Sequence, residues 1–511
     1  MRGEAAQPAA VTHRGLTTAT VICACVMQGL DTTIVNVCLP HIQGSMSAGQ
    51  DQISWILTSY IVSSAIMMPL TGWFAGQFGV KYIFLASVIG FTIASALCGA
   101  ATSLNQLVLY RMLQGICSAG LVPLGQATLF TIYPRERHGY AMAIFSTGAM
   151  MGPIVGPTLG GWLTDNFGWR WCFYINLPVG ALCALGIFAL LRATRPSRRE
   201  PFDIFGFAML TLAVGSLQLM LDRGQLKDWF YSTEIWIYMT VSALCFYLLL
   251  VHTMTAGERS FLNRELLKSP NFVAGSLLMF GVGMILSGSL ALLPSMMQVL
   301  MNYPVFDAGW MMAPRGIGTM AAMFVVARLI DRVDQRLFIL VGFLLTAASL
   351  WQMTGFSLQM DSWPILFAGF AQGFGLGCTF VPLNLLALSG LPHHILTQGT
   401  AIRALMRMLG GSIGIAVLET QLSQNTQIVH SRLMEWLRPD NPLAQPPFLP
   451  PPFSLTTPEG IAALNQEVTR QAAMIGYIDD FALMLIVILA SLPLLLLVRA
   501  PRREPAAAPA E

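Results

Sequence analysis

About fourteen apolar stretches follow one another along this 511-residue chain, from one centred near Cys25 to one near Val487. Each approaches the roughly 20 residues that carry a helix across a bilayer. In hydrocarbon every backbone N–H and C=O must find its partner within the protein, and a helix does this inside a single segment. The chain is therefore expected to be an all-α polytopic membrane protein with 14 transmembrane helices. Composition agrees: 55% of residues are hydrophobic, only 10% are charged, and the mean hydropathy is +0.63. A soluble globular protein carries far more charge.

Most of the 28 lysines and arginines fall in alternate connections, those on the N-terminal side of the membrane. Cytoplasmic loops collect such residues, so both termini are expected to be cytoplasmic. This topology explains the formal charge of +3 without a nucleic-acid partner. The first span lacks a short core followed by an A-x-A site, so no cleaved signal is expected. Nine cysteines lie in or beside apolar spans with no CxxC pair, and they read as small buried hydrophobes. No metal site is expected.

Two stretches about 255 residues apart are alike, GWFAGQFGVK at 72–81 and ARLIDRVDQR at 327–336. Gln114 and Gly115 followed by Pro123 are likewise matched by Gln372 and Gly373 followed by Pro382. This duplication divides the chain into an N-terminal six-helix bundle at 1–195 and a C-terminal one at 271–499. Two inserted helices at 203–254 lie between them, and a long outer loop runs from about 421 to 478. Its middle, 438–453, is dense in proline. Beyond it Thr457 and Pro458 resemble a helix start, and Ile461, Leu464, Val468 and Ala472 recur at helical spacing. A separate amphipathic helix is expected there, lying on the membrane or docking a partner.

The fifth span contains GAMMGPIVGPTLGG at 148–161. Gly148, Gly152, Gly156 and Gly160 recur every four residues, so one helix face lacks side chains and another helix can approach closely. Pro153 and Pro157 remove backbone donors from the same helix. Together with Gly161 they describe a helix that needs a partner to fill its groove. Its expected role is to seal and pivot the bundle without touching cargo.

Charges inside the spans are few. Asp31 stands in the first, where a carboxylate is costly and serves either as a proton carrier or as a pin between helices. Arg111 stands in the fourth, one turn before Gln114, and needs an acceptor because it cannot lose its proton. Its counterpart in the duplication is Gly369, so the proton chemistry is expected in the first half. Arg315, Arg403 and Arg407 fall within second-half spans and read as helix-end ion pairs or snorkelling residues, with Asp222 and Glu419 as candidate partners. The alternative is a cavity or gating role, shared with Gln114, Asp331 and Arg332, in which Arg403 and Arg407, four apart on one helix face, line a single wall. Met311, Met312, Met320 and Met323 offer a deformable apolar surface or ordinary packing.

LDTTIVNVCLP, QGICSAGLVPL, WRWCFYINLPVG, SLQLMLDRGQLKDWF and the long outer loop together resemble a known family. It is the fourteen-helix drug:proton antiporters of the major facilitator superfamily, EmrB/QacA type, and within them the EmrB-like multidrug exporters. The family's fifth-helix antiporter motif falls on Gly152, Gly156, Pro157, Gly160 and Gly161, its first-helix acid on Asp31 and its fourth-helix arginine on Arg111. One departure is plain. The superfamily's acid and arginine after the second helix are here Gly76 and Gln77, whereas the second copy keeps Asp331 and Arg332, so a cytoplasmic gate is expected to depend on the second half.

The resemblance implies export of hydrophobic drugs or related amphiphiles, driven by the proton gradient and without a cofactor. It further implies a bacterial inner membrane, a periplasmic membrane-fusion protein and an outer-membrane channel. A proton symporter importing a small organic nutrient is the rival; it would share Asp31 and Arg111 but not the glycine ladder. A membrane enzyme or ATP-driven pump is not expected, because the chain has no HExxH, GxSxG or Walker loop.

Overall fold

The computed structural model describes residues 14–47, 50–53, 55–134, 137–193, 202–256, 263–330, 332–389, 391–392, 395–438, 441 and 453–498. Helices fill nearly all of these residues. Thirteen are long and apolar enough to cross a membrane, and the pair Trp55–Met67 and Leu70–Phe78, bent by 54°, completes a fourteenth span. Pro69 stands at that bend, where its missing N–H interrupts the helical ladder.

The first bundle comprises Arg14–Met46, the bent pair, Val80–Ala100, Leu104–Ile132, His138–Phe167 and Trp171–Leu190. The second comprises Pro270–Leu300, Asp307–Leu329, Gln335–Met353, Ser362–Leu388, Leu396–Met434 and Pro458–Ser491. Their internal packing repeats: the first span lies along the fifth as the ninth lies along the thirteenth. The second packs on the fourth as the tenth on the twelfth, and the third on the sixth as the eleventh on the fourteenth. The halves meet along two seams, the fifth span with the tenth and the second with the thirteenth. Both seams are tight at the end of the molecule where the fifth and thirteenth spans begin. A Cβ on Gly72 would come within 3.1 Å of the Gln398 backbone nitrogen, and one on Gly139 within 2.6 Å of Ile330 Cγ2. Gly79 turns the chain between the second and third spans with φ of 88°, a conformation that glycine adopts without strain.

The inserted spans Ile204–Gly224 and Thr233–Thr255 pack chiefly on each other, and the first of them also touches the second and thirteenth spans. The pair thus covers one of the two seams. Polar contacts hold it. Ser242 donates to the Ala213 carbonyl at 2.9 Å, and Thr58 of the second span donates to Asp222 at 2.5 Å.

The outer segment departs from expectation. Leu396–Met434 has 39 residues and Pro458–Ser491 has 34, against roughly 20 for a bilayer crossing. The two stay paired beyond the length of a span: Asn425 donates to Asp479 at 3.1 Å, and His430 lies 3.0 Å from Asn465. Thr457 does cap the helix, accepting from Gly460 N at 3.2 Å, and Leu464, Val468 and Ala472 are buried. That helix, however, runs without a break into the last span. It is the upper half of a stalk and not a separate helix laid on the bilayer. The proline-rich residues 442–452 lie outside the described residues.

Candidate functional site

The carboxylate of Asp31 is bonded by side chains of two other spans, the fourth and the sixth. Arg111 Nη1 lies 2.7 Å from Asp31 Oδ2, while Gln114 Nε2 and Asn176 Nδ2 donate to Oδ1 at 2.8 and 3.0 Å. Arg111 also donates to Gln114 Oε1 at 2.7 Å and to the Ile56 carbonyl at 3.2 Å, and its guanidinium sits 4.3 Å from the centre of the Tyr60 ring. Asn176 is held in turn by Ser95 at 3.0 Å. Asp31, Arg111 and Gln114 are all fully buried. An ionised carboxylate only accepts, and here three side-chain donors converge on it, one of them a guanidinium. Gln114, expected at a cavity or gate, belongs to this closed cluster. Asn176, Ser95 and Tyr60 escaped the sequence reading, which screened the spans for charges and passed over neutral polar side chains.

The glycine ladder forms the bed on which the Asp31 helix lies. A Cβ on Gly152 would come within 2.6 Å of the Val26 carbonyl oxygen, one on Gly156 within 3.3 Å of the Leu30 oxygen, and one on Gly160 within 3.1 Å of the Ile34 oxygen. Gly148 faces Ile22 in the same way. A Cβ on Gly29 of the first span would in turn meet Pro153 Cδ at 2.9 Å. Gly161 is different: a Cβ there meets nothing within 4 Å, so it is not a close-approach position. The side chain of Pro157 lies outside the described residues.

A cavity of about 270 Å³ lies between the halves, lined by residues of both. Pro153, Ala149 and Met150 belong to its wall, so the ladder helix faces this cavity as well as the first span. Arg403 and Arg407 form part of the opposite wall, with Asn384. They are neither snorkelling nor ion-paired. Arg403 is 2% exposed and donates across the halves to Gln126 Oε1 at 2.9 Å, while its Nε and Nη1 have no partner. Asp222 is engaged by Thr58, and among the described residues neither it nor Glu419 pairs with these arginines.

Arg315 is buried outside the lining of this cavity, and among the described residues its side chain donates to the Leu286 carbonyl alone, at 3.5 Å. Met311, Met312, Met320 and Met323 do not line the cavity; Met150 and Met279 do. None of the inserted residues 203–254 reaches it. Arg332 is exposed on a turn, and Asp331 lies outside the described residues.

Two matched helical bundles about a central cavity, with a buried acid and arginine beside it, define a secondary transporter. The fold has solved counterparts. A proton:xylose symporter, XylE, superposes with a TM-score of 0.61 at 13% identity over 93% of this chain and 95% of that one. The human organic anion transporter MFSD10 gives 0.58 at 15%, over 93% and 99%.

In sequence, the model of the Major Facilitator Superfamily matches residues 21–415. The multidrug export protein EmrB of Escherichia coli K12 is 36% identical over 89% of each chain. The fatty acid resistance protein FarB of Neisseria gonorrhoeae is 32% identical over 89% of this chain and 87% of its own. The chain belongs to the Major Facilitator Superfamily and, within it, to the EmrB-like drug:proton antiporter family. Its members are transporters and not enzymes.

Proposed function

We infer that this multi-pass membrane protein is a proton-coupled antiporter that exports hydrophobic drugs or related amphiphiles, with Asp31 and Arg111 coupling the proton to the cargo. The observation that supports the coupling is the convergence of Arg111, Gln114 and Asn176 on Asp31. A proton on Asp31 would remove the charge that pairs with Arg111, and the first span that bears it lies against the cavity through Gly29, Thr32 and Thr33. Cargo arrival and protonation therefore act on one helix. The proton gradient supplies the energy, and no cofactor is needed.

The bacterial inner membrane is the proposed location, with a periplasmic membrane-fusion protein and an outer-membrane channel as partners. Support comes from the stalk, where Ile428, Trp436 and Ile461 are exposed well beyond a bilayer's length from the opposite helix ends. Replacing Ile428 and Trp436 by Glu is expected to reduce co-purification of the fusion protein; unchanged recovery would remove the stalk from that role.

Transport itself is tested in proteoliposomes holding a proton gradient. Drug addition is expected to evoke proton release and to stop doing so after an uncoupler. Proton-driven accumulation of a nutrient, with no response to drugs, would favour the importing symporter.

A further inference from the structure

Cys38 of the first span and Cys172 at the start of the sixth meet with their sulfurs 2.7 Å apart. Both are unbonded thiols and both are fully buried. They stand 134 residues apart in the chain, so only the fold brings them together. Thr164 of the ladder helix completes the group. Its hydroxyl lies 3.1 Å from Cys38 Sγ and 3.4 Å from Cys172 Sγ, and it donates its own proton to the Gly160 carbonyl at 2.7 Å. The Thr164 oxygen is thereby left to accept from the thiols. Cys23 and Cys183 make a second thiol contact between the same two spans, toward their other ends. The order of the pairs shows that the spans run antiparallel, with the bond from Asn176 to Asp31 between the two contacts.

A buried thiol ordinarily serves as a small apolar group with a weak donor. That role does not call for a second thiol: Cys38 already has an acceptor in its own helix, the Ile34 carbonyl at 3.2 Å. Joining the two sulfurs, by contrast, needs them to close by only about 0.7 Å. The bond would link unlike helices. The first span carries Asp31 and lines the central cavity, whereas no residue of the sixth belongs to that lining. The sixth packs instead on the first and third spans. A bond at Cys38 therefore ties a cavity-lining helix to one that stands behind it.

We propose that Cys38 and Cys172 are an oxidation site, converted to a disulfide by a hydroperoxide, and that this bond slows transport by holding the first span to the sixth. The bond's formation is independent of the export reading; its effect on transport rests on that reading. Full burial excludes a dithiol oxidase as the oxidant, because the disulfide of such a protein must touch the sulfur that attacks it. A small uncharged peroxide is not so restricted. One thiol gives up its proton as its sulfur attacks a peroxide oxygen; the O–O bond breaks, water leaves and a sulfenic acid remains. The other sulfur, losing its proton, attacks the sulfenic sulfur; the S–S bond forms, the S–O bond breaks and a second water leaves. The two thiols have lost the electron pair that the peroxide gained, and both thiol protons end in water.

The test uses the full-length protein, reduced, reconstituted in proteoliposomes and then treated with hydrogen peroxide. Peptide mapping without reductant is expected to find Cys38 joined to Cys172 before any other cysteines are linked. Drug-evoked proton release is expected to fall about fivefold as the bond forms and to recover with dithiothreitol. Cys38→Ser should keep the untreated rate and lose the response to peroxide; Cys172→Ser should behave alike and serves where the first variant does not fold. Recovery of Cys38 and Cys172 unlinked after peroxide, or linkage of Cys23 to Cys183 in their place, would overturn the oxidation site. Linkage of Cys38 to Cys172 with unchanged proton release would overturn the control of transport and leave the site standing. If no drug evokes proton release before oxidation, the export reading fails, and the peptide map still decides the site.

Discussion

The same pair of helix contacts is built twice in this protein and given a charge only once. In the first half Gln114 of the fourth span reaches Asp31 of the first; 258 residues on, Gln372 of the twelfth reaches Ser289 of the ninth at 2.9 Å. The position of Arg111 is taken by Gly369, and the space beside it holds Arg315 from the neighbouring span, 3.8 Å from a Cβ built on that glycine. The second half thus keeps the amide bridge and an arginine but lacks the acid between them. Asp480, a buried acid of the second half, accepts no hydrogen bond at either oxygen and pairs with no arginine among the described residues. Duplication preserved the scaffold bond, and divergence left the acid that an arginine can gate on one side.

The largest expected effect comes from making the first half as neutral as the second. Asp31→Asn is expected to reduce drug-evoked proton release to background in proteoliposomes. It also leaves Arg111 uncompensated, which costs about 3–5 kcal/mol for a buried pair. Adding Arg111→Gln should recover most of that stability, read as thermal unfolding in detergent, and none of the coupling. Asp480→Asn is the matching change in the second half and should keep proton release within about twofold of wild type. Full coupling in Asp31→Asn, or its loss in Asp480→Asn, would reverse the assignment of the halves.

How much of this was legible in advance depended on whether a residue announces itself within its own helix. Asp31 and Arg111 did, because a charge in an apolar span has few excuses. The spans and the duplication were legible for the same reason, as patterns along one dimension. The ladder at 148–161 announced a close contact but not its partner, since the identity of the facing helix is a tertiary fact. Its second-half analogue was missed altogether: Gly410, Gly411 and Gly414 pack on Phe280, Ser287 and Met284 of the ninth span, yet LGGSIG carries no proline and its arginines drew the attention. For those arginines the sequence left two readings open, helix-end pairing or a shared cavity wall. The choice depends on where a helix end lies, and the thirteenth helix, at 39 residues, is far longer than a span needs. The outer helix was misjudged, its continuity with the last span being hidden where polar residues give way to apolar ones.

The second effect in size separates the ladder's members. Gly152→Leu must push the Val26 backbone away, and such overpacking costs about 1–3 kcal/mol. Gly410→Leu, facing Phe280, is expected to cost as much in the second half. Gly161→Leu meets open space and should stay within about 0.5 kcal/mol. Thermal unfolding of the three variants orders them, and efflux should fall with Gly152→Leu alone among the two first-half changes. Equal behaviour of Gly152 and Gly161 would mean that the motif acts through its backbone flexibility and not through the first span.

The smallest effect tests whether the neutral bridge is only a scaffold. Gln372→Ala removes the one hydrogen bond it donates to Ser289, whose hydroxyl goes on donating to the Ile285 carbonyl at 2.8 Å. The loss is therefore about 1 kcal/mol. Gln114→Ala, by contrast, takes one of two donors from an ionised Oδ1 and one acceptor from Arg111. It should cost about 1.5–3 kcal/mol, as hydrogen bonds to charged groups do, and it should shift the pH dependence of export. A shifted pH profile in Gln372→Ala would show that the second half also handles protons, since a bridge between two neutral groups has no charge through which to move it.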